Sequence, residues 1–382
     1  MQANGDRGAE VLAGIDVLAR DGFRPLRGRR VGLITNATGL DRAGRRTIDL
    51  LREAPGVDLR AIFSPEHGLK SEADGDVADG TDARSGLPVY SLYGARKHPP
   101  AAALRGVDTL VFDLQDAGAR FFTYISTLGY AMEAAAEHRI AVVVLDRPNP
   151  IGGVAVEGPL LDPGRESFVG YHRLPIRHGM TVGELARLFN EERAIGADLT
   201  VIPAEGWQRE RMAGDGIAWR NPSPNLRSAA AAVLYPGVAL LELTNVSVGR
   251  GTCCPFQRVG APWLDGAALA AALSARGLPG ARFAAASFTP SSGTHAGARC
   301  GGVAIEVADP ARVEAVPLGL ALALEVRRLG GAAFQPENIR VLLGNERAFQ
   351  AFLRGEPPAR IAAGWAPELE AFLEARRRVL LY

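Results

Sequence analysis

Short apolar runs alternate with amphipathic stretches along the first 145 residues of the chain. Val11, Leu12, Ile15 and Leu18 recur at helical spacing before Asp21-Gly22, which predicts a packing helix over 8–20. The runs 30–36, 59–63, 89–92, 109–113 and 140–145 are continuous, rich in β-branched residues and too short for helices, so they read as buried strands. Helical patterns over 47–52 and 124–137 lie between them. Buried strands alternating with helices imply a parallel sheet covered on both faces. The expected fold is α/β, a Rossmann-like doubly wound parallel sheet domain.

Beyond Pro148 the pattern loosens into loops, then resumes with Thr181-Val182-Gly183-Glu184, a capping box that opens a helix. A strand over 199–203 and the turn-rich stretch 219–225 follow. From about Pro255 the order changes to a helix over 266–276, strands near 282–289 and 302–307, an apolar helix over 313–329, and two or three short helices. This predicts a first unit over 8–252 and a smaller α+β C-terminal domain over 253–382.

The residues that end each strand are polar. Thr35 and Asn36 follow the first, Ser64, Glu66 and His67 the second, Asp113, Gln115 and Asp116 the fourth, and Asp146, Arg147 and Asn149 the last. In an open parallel sheet these positions converge on one edge, so they are expected to line one crevice. Helix capping accounts for some of them. It does not account for His67, Arg120 and Arg147. Glu66 and His67 stand between the breakers Pro65 and Gly68, and a Glu on a partly apolar loop can act as a general acid at neutral pH. Taken alone, a solvated turn is the simpler account of that motif.

Composition narrows the picture. With 382 residues, 47% hydrophobic and 22% charged, the chain is globular and long enough for two cores. Lys plus Arg number 43 against 42 Asp plus Glu, so the net charge of +1 argues for neither a nucleic-acid nor a membrane partner. Lys70 and Lys97 are the only lysines; the preference for Arg is read as codon bias. Three cysteines do not make a disulfide framework, and the neighbours Cys253 and Cys254 are not expected to bridge to each other. The first residues have no apolar signal core and no run is long enough to span a bilayer, which points to the cytoplasm unless an export signal has been trimmed.

Several chemistries are excluded by motif. There is no Gly-x-x-x-x-Gly-Lys-Ser/Thr and no dinucleotide fingerprint, since Cys254 stands where the third glycine after Gly249-Arg250-Gly251 would be. The six histidines show no metal-ligand spacing, and Gly-x-Ser-x-Gly is absent. No cofactor and no metal are expected. Acid–base work by carboxylates is the best-supplied chemistry.

Five blocks then resemble one family. They are Ser64–Gly68, 87–94, 111–124, 145–153 and 247–252, in order, within a likeness running from Gly14 nearly to Tyr382. They are similar to the NamZ-type exo-β-N-acetylmuramidases. The resemblance implies a bacterial cell-wall glycosidase that releases terminal N-acetylmuramic acid from the non-reducing end of peptidoglycan fragments, with its site in a cleft between a Rossmann-like catalytic domain and a smaller C-terminal one. It implies Glu66 as the catalytic acid, and matches His67, Asp116, Arg120, Tyr124, Arg147, Asn149, His178, Asn245 and Arg250 to polar motif positions. Asn36, Asp113 and Gln115 join them as expected substrate contacts from the strand ends. Asp116 is the first choice for the second catalytic group and Asp113 the next. Arg147 or Arg250 is expected to hold the lactyl carboxylate of the sugar. The chain departs from the family pattern at Ala37, Leu243 and Gln257. The rival readings are a muropeptide-binding module without turnover and a carboxylate-based amidase or esterase acting on muropeptides. The partner is a peptidoglycan-derived saccharide in the first reading, and the oligomeric state is left open.

Overall fold

A computed structural model describes residues 10–382; the start of the helix expected over 8–20, and of the 8–252 unit, lies outside the described residues. The first part of the chain runs α1 (Gly14–Arg20), β1 (Arg30–Thr35), α2 (Thr47–Glu53), β2 (Asp58–Ser64), β3 (Gly80–Thr81), β4 (Pro88–Ser91), α3 (Ala101–Leu104), β5 (Thr109–Asp113), α4 (Tyr124–His138), β6 (Ala141–Leu145), α5 (Val182–Glu192) and β7 (Leu199–Ile202). The second part runs α6 (Ala229–Val238), β8 (Arg258–Ala261), α7 (Gly266–Ala275), β9 (Ala281–Phe288), β10 (Cys300–Val307), α8 (Ala315–Gly330), α9 (Ile339–Leu343), α10 (Glu346–Leu353) and α11 (Pro358–Arg377).

The larger sheet has seven strands in the order β3-β4-β2-β1-β5-β6-β7, parallel except for the β3 edge. Alternate residues of each strand enter different cores. Leu110, Phe112, Val142 and Val144 face the layer of α4 and α5, while Val111, Val143 and Leu145 face α1 and α2. That is why these runs are apolar throughout. The smaller sheet is antiparallel, β8-β10-β9. Behind it α6 crosses α8 closely at Gly237 and Gly319, where a Cβ on Gly237 would lie 1.8 Å from the Ala315 carbonyl oxygen. Helix α6, which a division at 252 assigns to the first unit, packs along α8.

Two sequence expectations need correction. The first helix begins at Gly14, because the Asp16 side chain reaches back to the Ala13 backbone N–H, and Leu12 instead pairs with Glu205 in a β-bridge. The last helix is twenty residues long, since Pro367 does not end it.

The stretch between β6 and α5 is irregular yet buried, with Ile151, Leu160, Leu174, Ile176 and Met180 all in the core. Buried irregular backbone leaves carbonyls that need donors, and arginines supply them. Arg120 donates to the carbonyls of Pro159, Leu174, Leu342 and Leu343, and Arg177 to those of Ile151 and Val313. Arg376 donates to Gly153 and Gly179. At these positions arginine has a structural use that codon bias does not describe. Asp146, at the end of β6, accepts from Thr181 Oγ1 (2.7 Å), the Gly183 N–H (2.7 Å) and the Tyr382 hydroxyl (2.8 Å). Burial pushes its carboxyl up from an ordinary 3.8 to about 6, against those hydrogen bonds. No helix among the described residues is long and apolar enough to cross a membrane.

Candidate active site

Strand β2 ends at Ser64, and the turn that follows holds His67 and Gly68 both at positive φ, 69° and 71°. His67 Nδ1 lies 2.7 Å from the Ala73 carbonyl oxygen, so that nitrogen carries a proton and donates it to the carbonyl, leaving Nε2 as the ring's other polar atom. Left-handed backbone at a non-glycine residue costs about 1 kcal/mol or more, and this bond offsets part of it. The turn presents Glu66 to a cavity of about 300 Å³. That volume lies at the low end of the range for small-ligand sites, roughly 300–1,000 Å³, and suits a single sugar ring.

The cavity is closed from both parts of the chain. Glu66, His67, Asp74, Tyr93 and Thr123 come from the loops of the large sheet. Tyr235, Glu242, Arg250 and Phe256 come from α6 and the loop after it. Thr123 stands at the head of α4, but its hydroxyl does not cap the helix; it bonds Glu66 Oε2 at 2.5 Å. The Tyr93 hydroxyl also bonds Glu66, and burial together with that carboxylate pushes the phenol up to about 12. On the wall contributed by the second part of the chain Arg250 pairs closely with Glu242 and reaches Asp74 at 3.3 Å. Asp74 is held in turn by the Asn225 amide at 3.0 and 3.1 Å. Burial raises the Glu242 carboxyl above the usual carboxylate range while Arg250 opposes the rise. Tyr235 packs edge-on against Phe256 at 4.9 Å and against Phe121 at 5.3 Å, which gives the polar walls an aromatic flank.

Of the residues expected from sequence, Glu66, His67 and Arg250 line this cavity. Tyr124 lies just beneath it: its hydroxyl contacts the Glu66 carbonyl oxygen at 3.4 Å, receives the Asn36 amide at 2.8 Å and donates to the Pro222 carbonyl. Asn36 and Tyr124 thus hold two cavity loops together. The other positions are occupied with structure. Asp113 is 0% exposed and takes both arms of Arg147, Nε at 2.6 Å and Nη2 at 3.0 Å, plus the Thr47 hydroxyl. Gln115 donates to the carbonyls of Asp116 and Pro148, each at 3.0 Å. Asn149 donates to Met180 and accepts from Ile151. Asp116 accepts from the Gly118 N–H at 2.7 Å, and His178 Nε2 lies 3.2 Å from the same oxygen, both side chains buried. Asn245 pins the 333–335 loop through the Ala333 carbonyl and the Gln335 N–H.

Gln115 and Arg147 border a separate recess of about 250 Å³, with Arg42 and Arg220. The strand ends therefore open onto two places rather than one crevice. Sequence reading missed Tyr93, Thr123, Asn225, Tyr235 and Glu242. Signals existed for three of them: Tyr93 and Thr123 lie within the blocks 87–94 and 111–124, and Glu242 is the acid directly before Leu243, where the chain departs from the family pattern. Among the described residues no group of three or more His, Cys, Asp or Glu side chains is placed to hold a metal ion.

Comparison with known proteins gives the family. The N-terminal domain model of the exo-β-N-acetylmuramidase NamZ matches residues 31–230, and the C-terminal domain model residues 233–382. The peptidoglycan β-N-acetylmuramidase NamZ of Bacillus subtilis is 42% identical over 379 residues, covering 98% of this chain and 92% of that protein. Two crystal structures of DUF1343 family proteins from Bacteroides fragilis share the fold. One has a TM-score of 0.90 at 36% identity and the other 0.81 at 30%, each covering 98% of this chain and 99% of its own. The chain therefore belongs to the NamZ family of exo-β-N-acetylmuramidases.

Proposed function

We propose that the protein is an exo-acting glycoside hydrolase that releases terminal β-linked N-acetylmuramic acid from the non-reducing end of peptidoglycan fragments, with Glu66 as general acid. The observation that carries this reading is the placement of Glu66 on the wall of a cavity the size of one sugar. The Bacillus relative, a peptidoglycan β-N-acetylmuramidase by name, supports the substrate class.

In this reading the glycosidic oxygen takes its proton from Glu66 as the bond to the anomeric carbon breaks. His67 fixes the turn and offers Nε2 to a substrate hydroxyl. Asp116 and His178, as a buried pair, support the strand-end loop from below. Arg250 is the cation for the lactyl carboxylate, because it lines the cavity with Glu66, whereas Arg147 borders the separate recess and is paired with Asp113. Incubation with an N-acetylmuramic acid β-glycoside whose chromophore is a poor leaving group that needs protonation tests the proposal. Release of the chromophore well above a Glu66→Gln control is the expected result; release equal to that control would overturn it.

A further inference from the structure

Glycoside hydrolysis needs a second group at the anomeric carbon, opposite the acid. Three carboxylates line the cavity: Glu66, Asp74 and Glu242. Asp74 is 48% exposed and tied to the Asn225 amide. Glu242 is 13% exposed and enters from the loop after α6, on the wall contributed by the other part of the chain. Asp113 and Asp116, the strand-end alternatives, do not line the cavity, and Asp113 already has its full set of partners.

The partners of the two glutamates differ in kind. Glu66 is bonded by hydroxyls, those of Thr123 and Tyr93. A hydroxyl both donates and accepts, so it serves a carboxylic acid as well as a carboxylate. Glu66 can therefore lose and regain a proton without orphaning a neighbour. Glu242 is paired with a guanidinium, which only donates and does not give up its proton. Protonating Glu242 would leave Arg250 only its longer contact with the more exposed Asp74.

Resting on the glycosidase reading above, we propose that Glu242, paired with Arg250, is the second catalytic carboxylate and acts on the anomeric carbon from the face opposite Glu66. The bond between the anomeric carbon and the glycosidic oxygen breaks, and its electron pair leaves with the aglycone oxygen, which takes the proton of Glu66. On the other face the new bond comes from one of two sources. A Glu242 oxygen adds directly, and water later displaces it while Glu66 takes back a proton; or a water adds as it passes its proton to Glu242.

The test uses the full-length protein and two N-acetylmuramic acid β-glycosides, one with a dinitrophenyl leaving group that needs no protonation and one with a sugar aglycone. Glu66→Gln should lose roughly 10²–10⁴-fold on the sugar aglycone and far less on the dinitrophenyl glycoside. Glu242→Gln should lose activity on both by similar factors. Azide added to Glu242→Ala should restore dinitrophenolate release and yield the α-glycosyl azide, formed by attack on the vacated face. Absence of rescue with both Glu242 variants folded, judged by thermal unfolding and by retained binding of free N-acetylmuramic acid, would overturn the assignment. A β-azide from Glu242→Ala, or a leaving-group-dependent loss in Glu242→Gln, would overturn it too. Wild-type protein inactive on both glycosides would instead remove the glycosidase reading itself, so the two failures are distinct.

Discussion

The end of β2 and the ends of β5 and β6 carry the same kinds of residue, carboxylates beside nitrogen bases, yet they do opposite things. After β2, Glu66 meets only hydroxyls and faces a void. After β5 and β6, Asp113 closes on Arg147 and Thr47, and Asp146 on Thr181, Gly183 and Tyr382. Strand order reverses between β1 and β5, the place where an open α/β sheet ordinarily binds its ligand. Here the Asp113–Arg147 pair occupies that point, and the cavity lies two strands along, under the second part of the chain. A polar residue at a strand end is a site only if its neighbours leave its hydrogen-bonding capacity unspent.

This contrast can be broken or sharpened by substitution. The largest effect is expected at Glu66: Glu66→Gln should cost turnover of a sugar aglycone by roughly 10²–10⁴-fold with almost no change in thermal midpoint, read by product release and calorimetry on the same sample. Asp113→Asn should do the reverse. Leaving buried Arg147 unpaired should destabilise the fold by about 3–5 kcal/mol, measured by denaturant unfolding, while KM for the chromogenic glycoside stays within about twofold. A selective loss of turnover without loss of stability would place Asp113 in the chemistry after all.

The third prediction concerns Asp146. Its folded carboxyl holds a proton more tightly than the unfolded one, so its contribution to stability is complete below the ordinary 3.8 and declines as pH rises through about 6. The decline amounts to about 3 kcal/mol. Asp146→Asn should flatten the stability–pH curve over that window, and an unchanged curve would show that the Thr181 and Tyr382 bonds already offset the burial. The smallest effect is expected at Tyr124→Phe. Removing the hydroxyl that joins Asn36 to Pro222 should cost about 1–2 kcal/mol, with a rise in KM as the two loops loosen.

Much of the architecture was legible because burial on both faces writes itself into composition. The five strand runs and the capping box at Thr181 and Glu184 appear where the pattern places them. The first helix was read too early because Val11 and Leu12 are apolar for a different reason: Leu12 bridges Glu205. Glu66 and His67 were legible because Pro65 and Gly68 mark the turn. Arg120, expected as a substrate contact, donates to four backbone carbonyls, and Arg147, one of two candidates for the lactyl carboxylate, pairs with Asp113; a sequence does not say whether an arginine will find an anion or a set of backbone carbonyls.

By itself, the amino-acid sequence determined the sheet, the helices that cover it, the family and the loop that carries Glu66, because these depend on local periodicity and on residues close in the chain. Tertiary structure alone decided which polar groups face a cavity. Glu66 and Glu242 are separated by more than 170 positions, and they share one void only because the loop after α6 closes over the end of β2. Asp113 closes on Arg147 and Glu242 on Arg250; each outcome is set by which partner the folded chain brings within reach.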